Sequence, residues 1–257
     1  MKLFDSHCHI DFATFDADRK AVIENAYKRN VRALFVPGVT RSQSQQTAWL
    51  GDCDRVEVIH GFGLHPYFIA QHSDDDLQWL ESQLQQDVHA LVGEIGLDAT
   101  CADYDRQYKF FCQQVELAAD YHRPVVLHHR RTQPELLRVI KSMRTKLPDM
   151  PGVIHAFSGS VEQANEWIAL GFMLGVGGTI TYDRAKKTRA AIAQASVQHL
   201  VLETDAPDMP VVGFQGQRNE PGQLDKILNQ LAQIRTESIT ELALQTWQNS
   251  CRLFYRS

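Results

Sequence analysis

Cysteine is scarce in this 257-residue chain, and the five present (Cys8, Cys53, Cys101, Cys112 and Cys251) are scattered, with no C-x-x-C pair. An odd, unclustered set outlines neither a disulfide framework nor a structural zinc knuckle, so these read as reduced thiols. Also missing is any run of about 18 uninterrupted apolar residues, the length that suggests a membrane-spanning helix. The opening MKLFDSHCHID has no apolar core of a signal peptide, and the cytoplasm is the expected compartment. Positive charge is not in excess: 26 Lys and Arg stand against 31 Asp and Glu, a formal net charge of −5. That balance argues against a broad basic face that tracks a nucleic-acid backbone by counterion release, and leaves open phosphate binding inside a locally positive, metal-loaded cleft. Internal repeats and low-complexity segments are absent too.

What the chain does have is the composition of a soluble globular protein, 44% hydrophobic and 22% charged. Its length fits one domain over 1–257, because α/β barrels routinely exceed the roughly 150 residues of an average domain. Short apolar runs recur at 2–9, 33–36, 56–64, 91–95, 125–128, 153–157, 172–176 and 200–203, which makes eight candidate strands. The segments between them carry helical spacing, with Phe111, Val115 and Ala118 in one and Val161, Ala164, Trp167 and Ile168 in another. Strand followed by helix, eight times over, predicts a closed parallel (β/α)8 TIM barrel. The Gly- and Pro-rich stretch 206–221 after the last run is expected to be an active-site loop.

In such barrels the chemistry sits where the strands end. In the first run the odd positions Leu3, Asp5, His7 and His9 share one side, so the two imidazoles project together while Cys8 faces away. Later strand ends add Glu94 in GEIGLD, His128 in PVVLHH, His155 in VIHAFSG and Asp205 in LVLETDAP. Six ligand-type side chains from five strand ends exceed the need of one four-coordinate ion, and carboxylates can bridge two, so a binuclear site is expected. Two divalent ions about 3.5 to 4 Å apart activate a water and polarise a phosphoryl oxygen, which suits phosphodiester hydrolysis. Asp205 is the candidate general base. Glu203, two residues earlier, is placed to orient a ligand or to neutralise a buried cation, and Asp5 to orient an imidazole or to bond within the barrel floor. His129 is expected to point away by strand alternation. Imidazole mixed with carboxylate suits zinc, manganese, nickel or iron, and magnesium less well.

These residues fall in blocks whose order resembles the TatD family of metal-dependent deoxyribonucleases, within the amidohydrolase-type barrels. The blocks are DSHCHID at 5–11, GLHP at 63–66, GEIGLD at 93–98, PVVLHHR at 124–130, HAFSG at 155–159, ETDAP at 203–207 and RNEP at 218–221. VGGTITY at 176–182 and ETDAPDMP at 203–210 further resemble a subgroup of uncharacterised enterobacterial TatD-like hydrolases. The resemblance implies His7, His9, Glu94 and Asp205 around one metal, with Glu94 bridging to a second ion held by His128 and His155. It also implies that His65 and Arg130 approach a substrate phosphate, and that the substrate is DNA or a small phosphate ester. One departure is Arg131 and Thr132, where the family commonly has an acidic residue after the arginine; Arg131 is expected at a solvated helix start, the alternative being a contact to an extra phosphate. The alternative activity is that of an amidohydrolase or lactonase using the same metal pair on a small molecule. No membrane association and no obligate protein partner are expected.

Overall fold

Valine, leucine and isoleucine dominate the strand runs because a parallel sheet sheathed in helices is buried on both faces and leaves no position for polar alternation. In the computed structural model, which describes residues 1–46 and 55–255, these runs form eight strands. They are β1 (Leu3–Asp5), β2 (Val31–Val36), β3 (Glu57–Phe62), β4 (Leu91–Asp98), β5 (Val125–Arg130), β6 (Gly152–Ile154), β7 (Met173–Val176) and β8 (Leu200–Leu202). Each pairs in parallel with the next, in the order β1 to β8. The ends meet through the extensions of β1 and β8. Ser6 N–H donates to Leu202 O (2.8 Å), Asp205 N–H to His7 O (2.9 Å) and His9 N–H to Ala206 O (2.7 Å). The result is the (β/α)8 TIM barrel that the alternating pattern predicts. Cys53 lies outside the described residues; Cys8, Cys101, Cys112 and Cys251 are free.

Alternate strand residues divide into two cores. Phe4, Phe35, Leu91, Val126, Val153, Met173 and Val201 fill the barrel interior, whereas Leu3, Leu34, Val92, Leu127, Ile154, Leu174 and Leu202 face the helices. Each such side chain, at no more than 3% exposure, contributes about 1.5–3 kcal/mol by burial.

The helices are α1 (Arg19–Lys28), α2 (Arg41–Gln46), α3 (Asp74–Gln86), α4 (Tyr104–Asp120), α5 (Gln133–Met143), α6 (Val161–Ala169), α7 (Lys186–Gln194), α8 (Leu224–Ile234) and α9 (Ile239–Phe254). Reciprocal capping boxes start α3 (Ser73 with Asp76), α6 (Ser160 with Gln163) and α9 (Ser238 with Glu241). The expected apolar faces are buried, with Phe111, Val115 and Ala118 on α4 and Ala164 and Trp167 on α6. Phe254, at the end of α9, packs on Phe4 (5.1 Å between ring centroids) and Phe35 (4.6 Å), closing the barrel end where β1 begins. The opposite mouth is left for chemistry. There, once Ala206 has bridged to Cys8, the chain between β8 and α8 runs through 207–220 without helix or strand pairing, as its Gly and Pro content suggests.

Candidate metal centre

Glu94 occupies the middle of the mouth. Its strand shifts register against β5 between Val92 and Ile95, an irregularity of the kind that re-aims a side chain. The Glu94 N–H donates to Gly38 O (2.8 Å). Gly63 lets the β3 loop pass against it, since a Cβ there would lie 2.5 Å from Glu94 O. Only 2% exposed, Glu94 presents its two carboxylate oxygens to different imidazoles. Oε2 faces His7 Nε2 (3.1 Å) and His9 Nε2 (3.5 Å). Oε1 faces His128 Nδ1 (3.1 Å), His65 Nε2 (3.2 Å) and, further off, His155 Nε2 (3.8 Å). Asp205 closes the far side, with Oδ1 3.7 Å from His7 Nε2 and His155 Nε2 and 3.8 Å from His9 Nε2.

The donor atoms therefore converge in three overlapping groups, His7–His9–Glu94, His7–His155–Asp205 and His65–Glu94–His128. All six side chains expected as ligands come together. His65, expected at the substrate, also lies against Glu94, in the group with His128; His155 falls in the group with His7 and Asp205. Imidazole nitrogens and carboxylate oxygens at this spacing are the donor set of zinc and its transition-metal neighbours. His7 and His9 direct their Nε2 atoms at each other, 3.2 Å apart, beside the carboxylate. Two neutral imidazoles so arranged can share at most one proton between those atoms, and a cation satisfies both lone pairs.

Electrostatics divide the histidines. Burial pushes His7 well below the usual imidazole range, helped by the adjacent His155, and pushes His65 down to about 4. Burial also opposes charge on His155, but the carboxylates of Glu203 and Asp205 hold it up to about 10. His128 is raised by Asp98 and Glu94 against the same desolvation. For Glu94, burial alone would raise the carboxyl; the surrounding imidazoles, His65 and His7 foremost, hold it well below its ordinary value. Asp205 moves the other way, pushed up to about 6 by burial in spite of His155 and His9. Its backbone sits at φ 58°, in the left-handed region that costs a non-glycine residue strain, and is pinned by Asp205 N–H to His7 O.

A second ring of groups supports the first. The fully buried Glu203 lies 3.1 Å from His155 Nδ1 and accepts from Ala156 N–H (2.5 Å). Asp98 faces His128 Nε2 (3.3 Å) and accepts from Thr100 N–H and Oγ1–H (2.8 and 2.6 Å), which keeps its carboxyl below the ordinary range. Sequence reasoning overlooked Asp98, although it lies an even number of residues from Glu94 on one strand and ends the GEIGLD block. Asp5 takes the barrel-floor role: it accepts from Thr204 N–H (2.8 Å) and Oγ1–H (2.6 Å) and from His7 N–H (3.3 Å), and among the described residues no imidazole side chain bonds it. His129 turns away, toward Gln133 Nε2 (3.3 Å). Arg130 is exposed at the end of β5, and Arg131 is exposed just before α5 with φ 60°.

A parallel barrel whose mouth gathers five imidazoles and two carboxylates defines a metal-dependent hydrolase. The chain belongs to the TatD-related DNase family, whose model matches residues 4–255. It is 39% identical over 259 residues to YjjV of Escherichia coli K12, an uncharacterized metal-dependent hydrolase, covering 98% of both chains. The crystal structure of that TatD homologue superposes with a TM-score of 0.93 over 99% of this chain and 98% of the other. The chain is also 27% identical, over 98% of its length and 99% of the relative's, to the 3′-5′ ssDNA/RNA exonuclease TatD of Pectobacterium carotovorum.

Proposed function

We propose that this chain is a two-metal phosphodiesterase that shortens single-stranded nucleic acid from an end. The observation that carries it is the split carboxylate of Glu94, one oxygen toward His7 and His9 and the other toward His128 and His65. A carboxylate so flanked is built to bridge two cations. In this proposal His7, His9, Glu94 and Asp205 surround one ion, and Glu94, His128 and His155 the other. When bound, the ions supply Lewis acidity, lowering the pKa of a water and polarising a phosphoryl oxygen.

The chain's own groups do the rest. Asp205 accepts the proton of the attacking water; a carboxyl pushed up to about 6 by burial is a stronger base than an exposed one. Arg130 offers a planar fork to two phosphate oxygens from the exposed end of β5. His65 stands beside Glu94 where it can hydrogen-bond a phosphate oxygen or complete the shell of the nearer ion. Glu203 and Asp98 hold His155 and His128 in place through their second nitrogens. The DNA and RNA named for the Pectobacterium relative supply the substrate class.

The test is hydrolysis of a labelled single-stranded oligonucleotide by protein loaded with manganese or zinc, beside a panel of amides and lactones. His128→Ala is expected to lower oligonucleotide cleavage about 100-fold or more while the unfolding midpoint stays near the parent's. Retained cleavage in that variant, or turnover confined to the amides and lactones, overturns the proposal.

A further inference from the structure

Beyond the histidine cluster, the barrel mouth carries a second constellation where the loops after β7 and β8 meet. Tyr182 Oη–H donates to Pro210 O (2.6 Å), and Val212 N–H donates to Thr181 Oγ1 (2.9 Å). Gly178 allows the two backbones to touch, since a Cβ there would lie 2.3 Å from Met209 O. The β8 side is tied to the candidate centre: Asp208 N–H donates to Asp205 O (2.8 Å), and Asn219 Nδ2–H donates to Thr204 O (2.9 Å) and Met209 O (3.3 Å). Between the loops lies a cleft of about 240 Å³, lined by Thr179, Tyr182, Arg184, Ala185, Met209 and Pro210. That is below the ~300–1,000 Å³ typical of drug-sized ligands and suits a single ring system.

The rim of this cleft is basic in a chain that is acidic overall. Segment 183–189, DRAKKTR, sets four cations against one acid. Arg189 is used inward, donating to Ile180 O (2.7 Å) and lying 3.5 Å from Asp183. Arg184, Lys186 and Lys187 are exposed, and the Arg184 guanidinium lies 4.9 Å from the centroid of the Tyr182 ring. The solvated Glu162 is the acid that Lys187 influences. Lys186 and Lys187 open α7, whose first turn has no acidic residue. Cations there oppose the helix macrodipole, so the arrangement costs folding energy and instead concentrates positive potential beside the cleft. An aromatic face, a cation over it and two exposed lysines together match a base followed by a phosphate.

We infer that this cleft is a subsite for a nucleotide neighbouring the scissile one, with its base held against Tyr182, Arg184 and Met209 and the next phosphate drawn by Lys186 and Lys187. The inference rests on the proposed nuclease activity and adds a path for the strand, from Asp205 across the β8 loop onto the start of α7.

The experiment compares kcat/KM of the manganese-loaded enzyme for thymidylate oligomers of two and six nucleotides, across a salt series. The parent is expected to favour the hexamer. Tyr182→Ala is expected to raise hexamer KM by roughly 5- to 150-fold, the range for one base stacked on an aromatic ring. Lys186→Ala/Lys187→Ala, confined to exposed side chains, tests the inference without touching the packing of Tyr182. It is expected to erase the length preference and to lessen the salt slope by about 0.7 for each phosphate contact removed. Unchanged length preference and slope in the lysine variant, with the parent cutting both oligomers, overturn the subsite alone. Failure of the parent to cut either oligomer overturns the nuclease activity and the subsite with it.

Discussion

Replacing Glu203 by glutamine removes one buried charge and keeps the shape. The space permits nothing larger, because a Cβ on Gly175 would already lie 2.2 Å from Glu203 Oε2. In the parent, Oε1 accepts from Ala156 N–H and lies 3.1 Å from His155 Nδ1, where its charge favours a proton on that nitrogen, while Nε2 faces Asp205 and Glu94. A glutamine that keeps its oxygen at the Oε1 position retains both contacts, puts its amide in place of Oε2, and removes only the negative charge that favours a proton on His155. At 3.1 Å and an effective dielectric of about 20, a full charge pair attracts by about 5 kcal/mol, most of it offset by the cost of burying both ions. The net loss is therefore set at the 10- to 100-fold in metal affinity found for groups that orient ligands, about 1.4–2.7 kcal/mol. Competition against a fluorescent chelator measures the affinity, and calorimetry in buffers of different ionisation enthalpy counts the protons released. Because the carboxylates hold His155 up to about 10 in the metal-free protein, cation binding at pH 7 expels a proton from it, and Glu203→Gln is expected to diminish that release. A variant that binds metal within threefold of the parent and releases as many protons refutes the orienting role.

Two further outcomes follow from the same geometry. Gly63→Ala drives a Cβ to 2.5 Å from Glu94 O and 2.7 Å from Glu94 N, so Glu94 must shift; stability falls by about 1–3 kcal/mol in a denaturant titration, and metal affinity is expected to fall with it. Asp5→Asn isolates a buried carboxyl pushed up to about 8 by desolvation, against the pull of the Thr204 bonds. A folded-state value above the unfolded one means that the native state holds the proton more tightly. The contribution of Asp5 is thus intact below about pH 4 and is lost as pH rises through 8. Chelator-treated Asp5→Asn is expected to gain thermal stability relative to the parent from pH 4 to 8, and a pH-independent difference refutes the assignment.

The barrel could be read from the chain because strands covered on both faces become unbroken apolar runs, and all eight candidate runs overlap a strand of the sheet. Their ends were less legible. The first run extends to His9 in the sequence, yet β1 stops at Asp5. Beyond it, Ser6, Cys8 and His9 bond singly and alternately, Cys8 N–H to Phe35 O on one side and Ser6 and His9 to the β8 extension on the other. That splayed geometry turns two imidazoles toward Glu94, and it leaves no trace in hydrophobic periodicity. The site residues were visible as polar tips on apolar strands, but their grouping was not. Whether His155 stands with His128 or with His7 depends on rotamers and on the register shift in β4, and both are tertiary properties.

Charge shows the same limit more sharply. A net charge of −5 speaks against a nucleic-acid track only if charge is spread evenly, and the seven residues 183–189 alone carry four cations less one acid, or +3. Salt screens exposed charges beyond a Debye length of about 8–10 Å, so a phosphate at the barrel mouth responds to nearby groups and hardly to acids on distant helices. The mouth is where Arg130, Arg184, Lys186 and Lys187 lie exposed, against the exposed acids Asp183 and Asp208, while the carboxylates Glu94 and Asp205 face imidazoles. A chain that is acidic in sum can therefore attract a strand at the one end where the barrel has chemistry to perform on it.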